Sequence, residues 1–314
     1  MTNFKQTLST ITDYIKADIF PGASLALYDG QDWQEHYLGT QDGNIPVVPG
    51  LTYDLASVSK VVGAGTICLF YLQVGKLDLD EKLSTYYPAV VDKTLTLRQL
   101  LSHSSGIDPF IPNRDELDQA GLISAINAIK VKDDKPFLYT DINFILLGLM
   151  LEKVSGQTLD KLFDIEIFQP FGMSETRFGP VEVAVPTVEG IPGGTVHDPK
   201  ARVLKEHTGS AGLFSTLKDL EIFVDHYLTD DFAKNLTQNI SQSNKERSVA
   251  WDLQGDWILH TGYTGTFVLI NIPAQRAAIF LSNRTYYKDE RAQWIEDRDA
   301  LIEIMKEELV HSDK

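Results

Sequence analysis

Apolar residues recur at Phe4, Leu8, Ile11 and Ile15, a spacing that predicts a helix with one apolar face, ended by Pro21-Gly22. The period then changes. Residues 23–28 read as a strand, Asp29-Gly30 as a turn, and 33–38 as the returning strand. Over 61–72 the apolar positions run nearly all the way round a helix, which predicts burial on most sides, and Gly75 closes it. From about 77 to 209 helical patterns alternate with long polar loops, the helices falling at 97–101, 122–129, 144–154 and 159–167. Gly, Pro and Thr crowd 179–195, so that stretch reads as a loop, and 213–227 reads as helix. Strand patterns follow at 251–256, 257–260, 266–272 and 277–282, and Trp294, Leu301, Met305 and Leu309 place a last helix.

Strands therefore occupy both ends of the chain and helices its middle. The pattern predicts an α+β fold: one antiparallel sheet built from 1–56 and 250–314 and covered by the terminal helices, beside a mostly helical region over 57–249. The cleft between these layers is the expected site.

With 314 residues, 43% of them hydrophobic and 23% charged, the chain has the composition of an ordinary globular protein. The net charge of −16 opposes binding to nucleic acid or anionic lipid, and says little against a small neutral ester or amide. Cys68 is the single cysteine and lies in an apolar run, so it reads as a buried small hydrophobe. The start, Met1-Thr2-Asn3-Phe4-Lys5, has no signal-peptide pattern, and the strongly apolar run 144–151 is far below the ~20 residues of a membrane span. The expectation is a cytoplasmic protein with no membrane or nucleic-acid partner.

Ser57-Val58-Ser59-Lys60 is the first pattern with chemistry in it. A serine hydroxyl needs a neighbouring base to become a nucleophile, and residues three apart share one face of a helix. Ser215-Thr216-Leu217-Lys218 repeats the pattern, but Ser215 reads as a helix N-cap. The pattern alone does not choose between the two serines.

Longer segments make the choice. Residues 54–60 (DLASVSK), 96–106 (TLRQLLSHSSG), 137–144 (FLYTDINF), 209–216 (GSAGLFST) and 260–265 (HTGYTG) occur in that order. Together they resemble the serine β-lactamase and penicillin-binding-protein-like family, in particular class C β-lactamases and their esterase and D-alanyl-D-alanine carboxypeptidase relatives. The resemblance implies Ser57 as the acylated nucleophile and Lys60 and Tyr139 as sharing the general-base work, with the choice between those two open. It implies an oxyanion hole from the backbone N–H groups of Ser57 and Tyr263, and substrate contacts from Asp141, His260, Thr261 and Gly262. It implies neither metal nor organic cofactor.

Two positions depart from the family pattern. Asp141 replaces an amide with a carboxylate that, when ionised, favours charged Lys60 and weakens it as a base. His260 stands where β-lactamases carry a lysine, so the permanent charge for a substrate carboxylate is missing. Both point away from β-lactams and towards esters or small amides. The rival readings are a β-lactamase or D-alanyl-D-alanine carboxypeptidase, and a catalytically silent binding protein. His103 reads as a hydrogen-bonder that fixes its loop, and His197-Asp198-Pro199 has no second ligand cluster to make it a metal site.

Overall fold

The computed structural model describes residues 4–311; residues 1–3, which belong to the N-terminal reading above, lie outside the described residues. Strands β1 (Gly22–Tyr28) and β2 (Trp33–Gly39) come from the start of the chain. Short strands β3 (Thr52–Asp54), β4 (Arg177–Phe178) and β5 (Leu213–Thr216) lie in the middle. The end supplies β6 (Asp252–Gln254), β7 (Trp257–Thr261), β8 (Phe267–Asn271) and β9 (Arg276–Ser282). The outer strands form one antiparallel sheet in the order β2-β1-β9-β8-β7-β6, and the middle three form a second in the order β3-β5-β4. The two ends of the chain meet where Ala23 pairs with Ser282 and Tyr28 with Ala277.

Alternation along the strands sorts the core. Leu25, Leu27, Leu259, Phe267, Leu269 and Phe280 pack with Ile11, Trp294, Leu301 and Met305 from the terminal helices Lys5–Lys16 and Arg291–His311. Ala26, Ile258, Val268, Ile270 and Ile279 face the other way, into the larger core shared with the helical region. A sheet covered on both faces explains why β8 and β9 read as nearly continuous apolar runs. His260, two residues after Ile258, therefore points with Ile258 towards the helical region.

Some local readings change. Residues 213–216 are strand and not helix, because they pair with β3 and β4. Thr216, not Ser215, caps the helix Leu217–Thr229 by accepting from the Asp219 amide at 3.2 Å. Ser215 is buried and bonds Thr176. The helix read over 61–72 begins as a 3-10 turn, Ala56–Val58, passes through a π turn, Val61–Gly65, and becomes α-helical over Thr66–Gln73. Thr66 Oγ1 donates to the Val61 carbonyl at 2.6 Å across that widened turn. By length and composition Ala56–Gln73 passes as a membrane span, yet 78% of that window is buried inside the protein: it is the core helix. β3 and the helix Pro199–Leu204 had no counterpart in the sequence reading.

Candidate active site

Ser57 sits on the 3-10 turn that follows β3 and lines an open cleft of about 630 Å³. The residue before it, Ala56, has φ 46°, a left-handed conformation that costs an alanine about 1 kcal/mol or more. Asp54 holds this turn. One of its oxygens accepts from the Ala56 amide at 2.8 Å, and the other accepts from the His197 amide at 2.7 Å. Burial pushes the Asp54 carboxyl up to about 6, against the lowering effect of those two bonds.

Lys60 lies one turn further on, fully buried. Its Nζ is 2.7 Å from Ser57 Oγ, 2.8 Å from Asp141 Oδ1 and 2.8 Å from the Ser210 carbonyl. An ammonium has three N–H donors, and here each has an acceptor. Burial opposes charge on Lys60, but Asp141 and Tyr139 more than offset it, so its affinity for the proton is raised above the lysine norm. Asp141 answers in kind: burial alone would raise its carboxyl, yet Lys60 and Lys200 hold it well below the usual range.

Asp141 is the first residue of the helix Asp141–Ser155, which Thr140 caps. Gly148 lets this helix approach the segment carrying Ser210: a Cβ there would lie 2.7 Å from the Gly209 nitrogen. Tyr139 is 39% exposed and faces the cleft. Its ring stacks on His103 with centroids 4.3 Å apart, and Lys60 Nζ lies 5.1 Å from the Tyr139 centroid. His103 is buried; its Nδ1 is 2.9 Å from Asn143 Nδ2, and its carbonyl accepts from the Leu138 amide at 2.8 Å. It fixes the tyrosine's segment, as its loop-fixing reading implied.

The cleft brings together Ser57, Tyr139, Asp141 and Tyr263. His260 is 3% exposed and sits behind Tyr139, ring centroids 6.3 Å apart. Burial, then the charges of Lys60 and Arg247, push the His260 imidazole well below its ordinary value, so it is neutral. Thr261 ends β7, and Gly262 presses the following turn onto the nucleophile segment, where a Cβ would meet Leu55 O at 2.7 Å.

Sequence reading missed Lys200, Asp54 and Arg247. Lys200 lines the cleft from the helix Pro199–Leu204, which Asp198 caps at 2.8 Å. His197-Asp198-Pro199, weighed earlier only for a metal, is thus the segment that delivers it. Buried Arg247 reaches Asp252 at 3.2 Å and lies over Phe137. Asp54 opens the 54–60 segment, but without a role; no local motif marks Lys200 or Arg247, and only the tertiary fold assembles them.

A serine bonded to a buried lysine at the mouth of a cleft, in an α+β fold of this topology, is the equipment of a serine acyl-transfer hydrolase. The Beta-lactamase family model matches residues 9–302, and the chain belongs to that family as a serine hydrolase. An Escherichia coli (strain K12) protein named "Putative D-alanyl-D-alanine carboxypeptidase" is 25% identical, the match covering 77% of this chain and 71% of that one. Among solved structures, EstCE1, described as a hydrolase with promiscuous acyltransferase activity, has a TM-score of 0.75 at 19% identity, covering 95% of this chain and 98% of its own. A β-lactamase/D-alanine carboxypeptidase from Pseudomonas syringae has a TM-score of 0.74 at 17% identity, covering 96% and 97%. These likenesses confirm the β-lactamase/penicillin-binding-protein-like fold.

Proposed function

We propose that this hydrolase is an esterase for small acyl substrates, acting through an acyl-enzyme on Ser57. The observation that carries the reading is the Lys60 ammonium, 2.7 Å from Ser57 Oγ and tied at the same time to Asp141 and Ser210. Held in its charged form, Lys60 has no lone pair with which to take the serine proton. Tyr139, across the cleft mouth, is then the general base, and Lys60 orients Ser57. Attack on the ester carbonyl places the developing oxyanion at the backbone N–H groups of Ser57 and Tyr263. The alcohol leaves with the proton from Tyr139, and water repeats the sequence to release the acid.

One substitution favours an ester over a β-lactam. Neutral, buried His260 supplies no permanent cation at the cleft surface for a substrate carboxylate. The cleft wall is apolar at Pro109, Ile111, Val188 and Ile191, which suits an acyl chain, and charged at Arg114, Lys200, Arg202 and Arg291. The test is to incubate the protein and Ser57→Ala with p-nitrophenyl acetate, a chromogenic cephalosporin and a D-alanyl-D-alanine peptide, following turnover and intact mass. Ester turnover with an acyl adduct, both lost in Ser57→Ala, is the expected result. Faster turnover of the cephalosporin or the peptide moves the substrate to the rival enzyme readings. No turnover and no adduct with any of them returns the silent binding protein, and full activity in Ser57→Ala removes the nucleophile.

A further inference from the structure

Lys200 has no part in the chemistry just described, yet it stands in the cleft wall, 3.0 Å from the carboxylate that holds Lys60. Asp141 divides its two oxygens between the lysines, Oδ1 to Lys60 at 2.8 Å and Oδ2 to Lys200 at 3.0 Å. Lys200 is itself held in place by Asp198 Oδ2 at 3.2 Å, while Asp198 Oδ1 caps the helix that carries Lys200. Its side chain is 15% exposed, so this is no flexible surface pair. Asp141 brings one negative charge to a position where the family pattern has a neutral amide, and Lys200 brings one positive charge to the same carboxylate.

We propose that Lys200 is a positioning residue that acts through Asp141: it balances the carboxylate's charge and so sets how tightly the Lys60–Tyr139 pair holds its proton. The inference rests on the reading of Ser57, Lys60 and Tyr139 given above. Without Lys200, the full negative charge of Asp141 bears on Lys60, and the pair gives up its proton less readily. Without the Asp141 charge, two ammonium groups face each other, and the proton leaves more readily. With both charges removed, the neutral arrangement of the family pattern is restored. The other ionisable groups around this centre leave the sign unchanged. His103 and His260 are buried and neutral, Arg247 is paired with Asp252, Asp198 pairs with Lys200 itself, and Arg202 lines the same cleft.

The experiment is the pH dependence of kcat/KM for p-nitrophenyl acetate in the wild type, Lys200→Met, Asp141→Asn and the double variant, with Ser57→Ala as baseline. In Lys200→Met the ascending limb moves up by about one pH unit or more, and in Asp141→Asn it moves down. The double variant brings the limb back towards the wild type and recovers activity by about tenfold over the worse single variant. Lys200→Arg keeps the wild-type limb. Thermal unfolding is followed throughout, and Lys200→Gln replaces Lys200→Met if the latter does not fold. A Lys200→Met profile that superposes on the wild type overturns the proposal. So do single variants that shift in the same direction, or a double variant whose loss is the product of the two. Turnover that survives in Ser57→Ala sinks the functional reading itself; a dead Ser57→Ala beside an unshifted Lys200→Met sinks only the role of Lys200.

Discussion

Asp54→Ala tests whether the nucleophile is aimed by the turn before it. Asp54 is buried, and its carboxylate accepts the Ala56 amide at 2.8 Å and the His197 amide at 2.7 Å. Alanine leaves both donors without an acceptor in the protein interior, at about 1–3 kcal/mol each, or about 2–6 kcal/mol in all. That is a large part of the roughly 5–15 kcal/mol that stabilises a typical domain. The carboxyl is pushed from an ordinary 3.8 up to about 6, so the native state binds the proton more tightly than the unfolded chain. The favourable contribution of this group is therefore complete at low pH and is lost as pH rises through about 6, by about 3 kcal/mol for a shift of about two units. The gap in unfolding free energy between wild type and Asp54→Ala is accordingly widest below about pH 4 and has narrowed by about pH 7.5. Losing the restraint also frees Ala56 from its left-handed conformation and lets Ser57 drift. A displacement of about 1 Å lowers kcat by about a hundredfold. Asp54→Asn keeps the shape and one acceptor oxygen, and falls between the two. Urea unfolding at both pH values and ester hydrolysis of the folded variant read these effects separately. Stability within about 0.5 kcal/mol of wild type together with unchanged kcat would refute the reasoning.

A second pH-dependent group lies far from the cleft. Glu221 is fully buried, and burial with the nearby Glu35 carboxylate pushes it up to about 7 despite its 2.7 Å bond to Lys218. Its folded value exceeds the unfolded one, so the wild type loses up to about 3 kcal/mol as pH rises from about 5 through 7. Glu221→Gln flattens that part of the stability profile, and a variant whose melting temperature tracks the wild type across the range contradicts the assignment. Cys68 is buried, with its thiol pushed up to about 12. Iodoacetamide at about pH 8 leaves it unmodified in the native protein and labels it once guanidinium unfolds the chain, and rapid native labelling refutes its placement.

How much of this was legible in the sequence depends on the range of the interaction. Period and punctuation located the terminal strands and helices because each answers to its own residues and to one buried face. The switch at 213–216 failed because a strand of four residues is defined by its partners, β3 and β4, which lie far away in the chain. The site divides in the same way. Ser57 and Lys60 share one turn, so their contact at 2.7 Å was readable from their spacing, and the resemblance added Tyr139 and Asp141. The consequence of Asp141 was readable too: a carboxylate there holds the lysine charged, as the structure bears out in direction. What spacing could not supply was the counter-charge. Lys200 lies beyond two helical stretches and a long loop from Asp141, on a short helix no pattern announced, and its meaning exists only where Asp198 and Asp141 converge on it. A departure from a family motif is thus incompletely read at its own position. The substitution at 141 shows what charge was added, and the fold shows, at 200, which residue neutralises it.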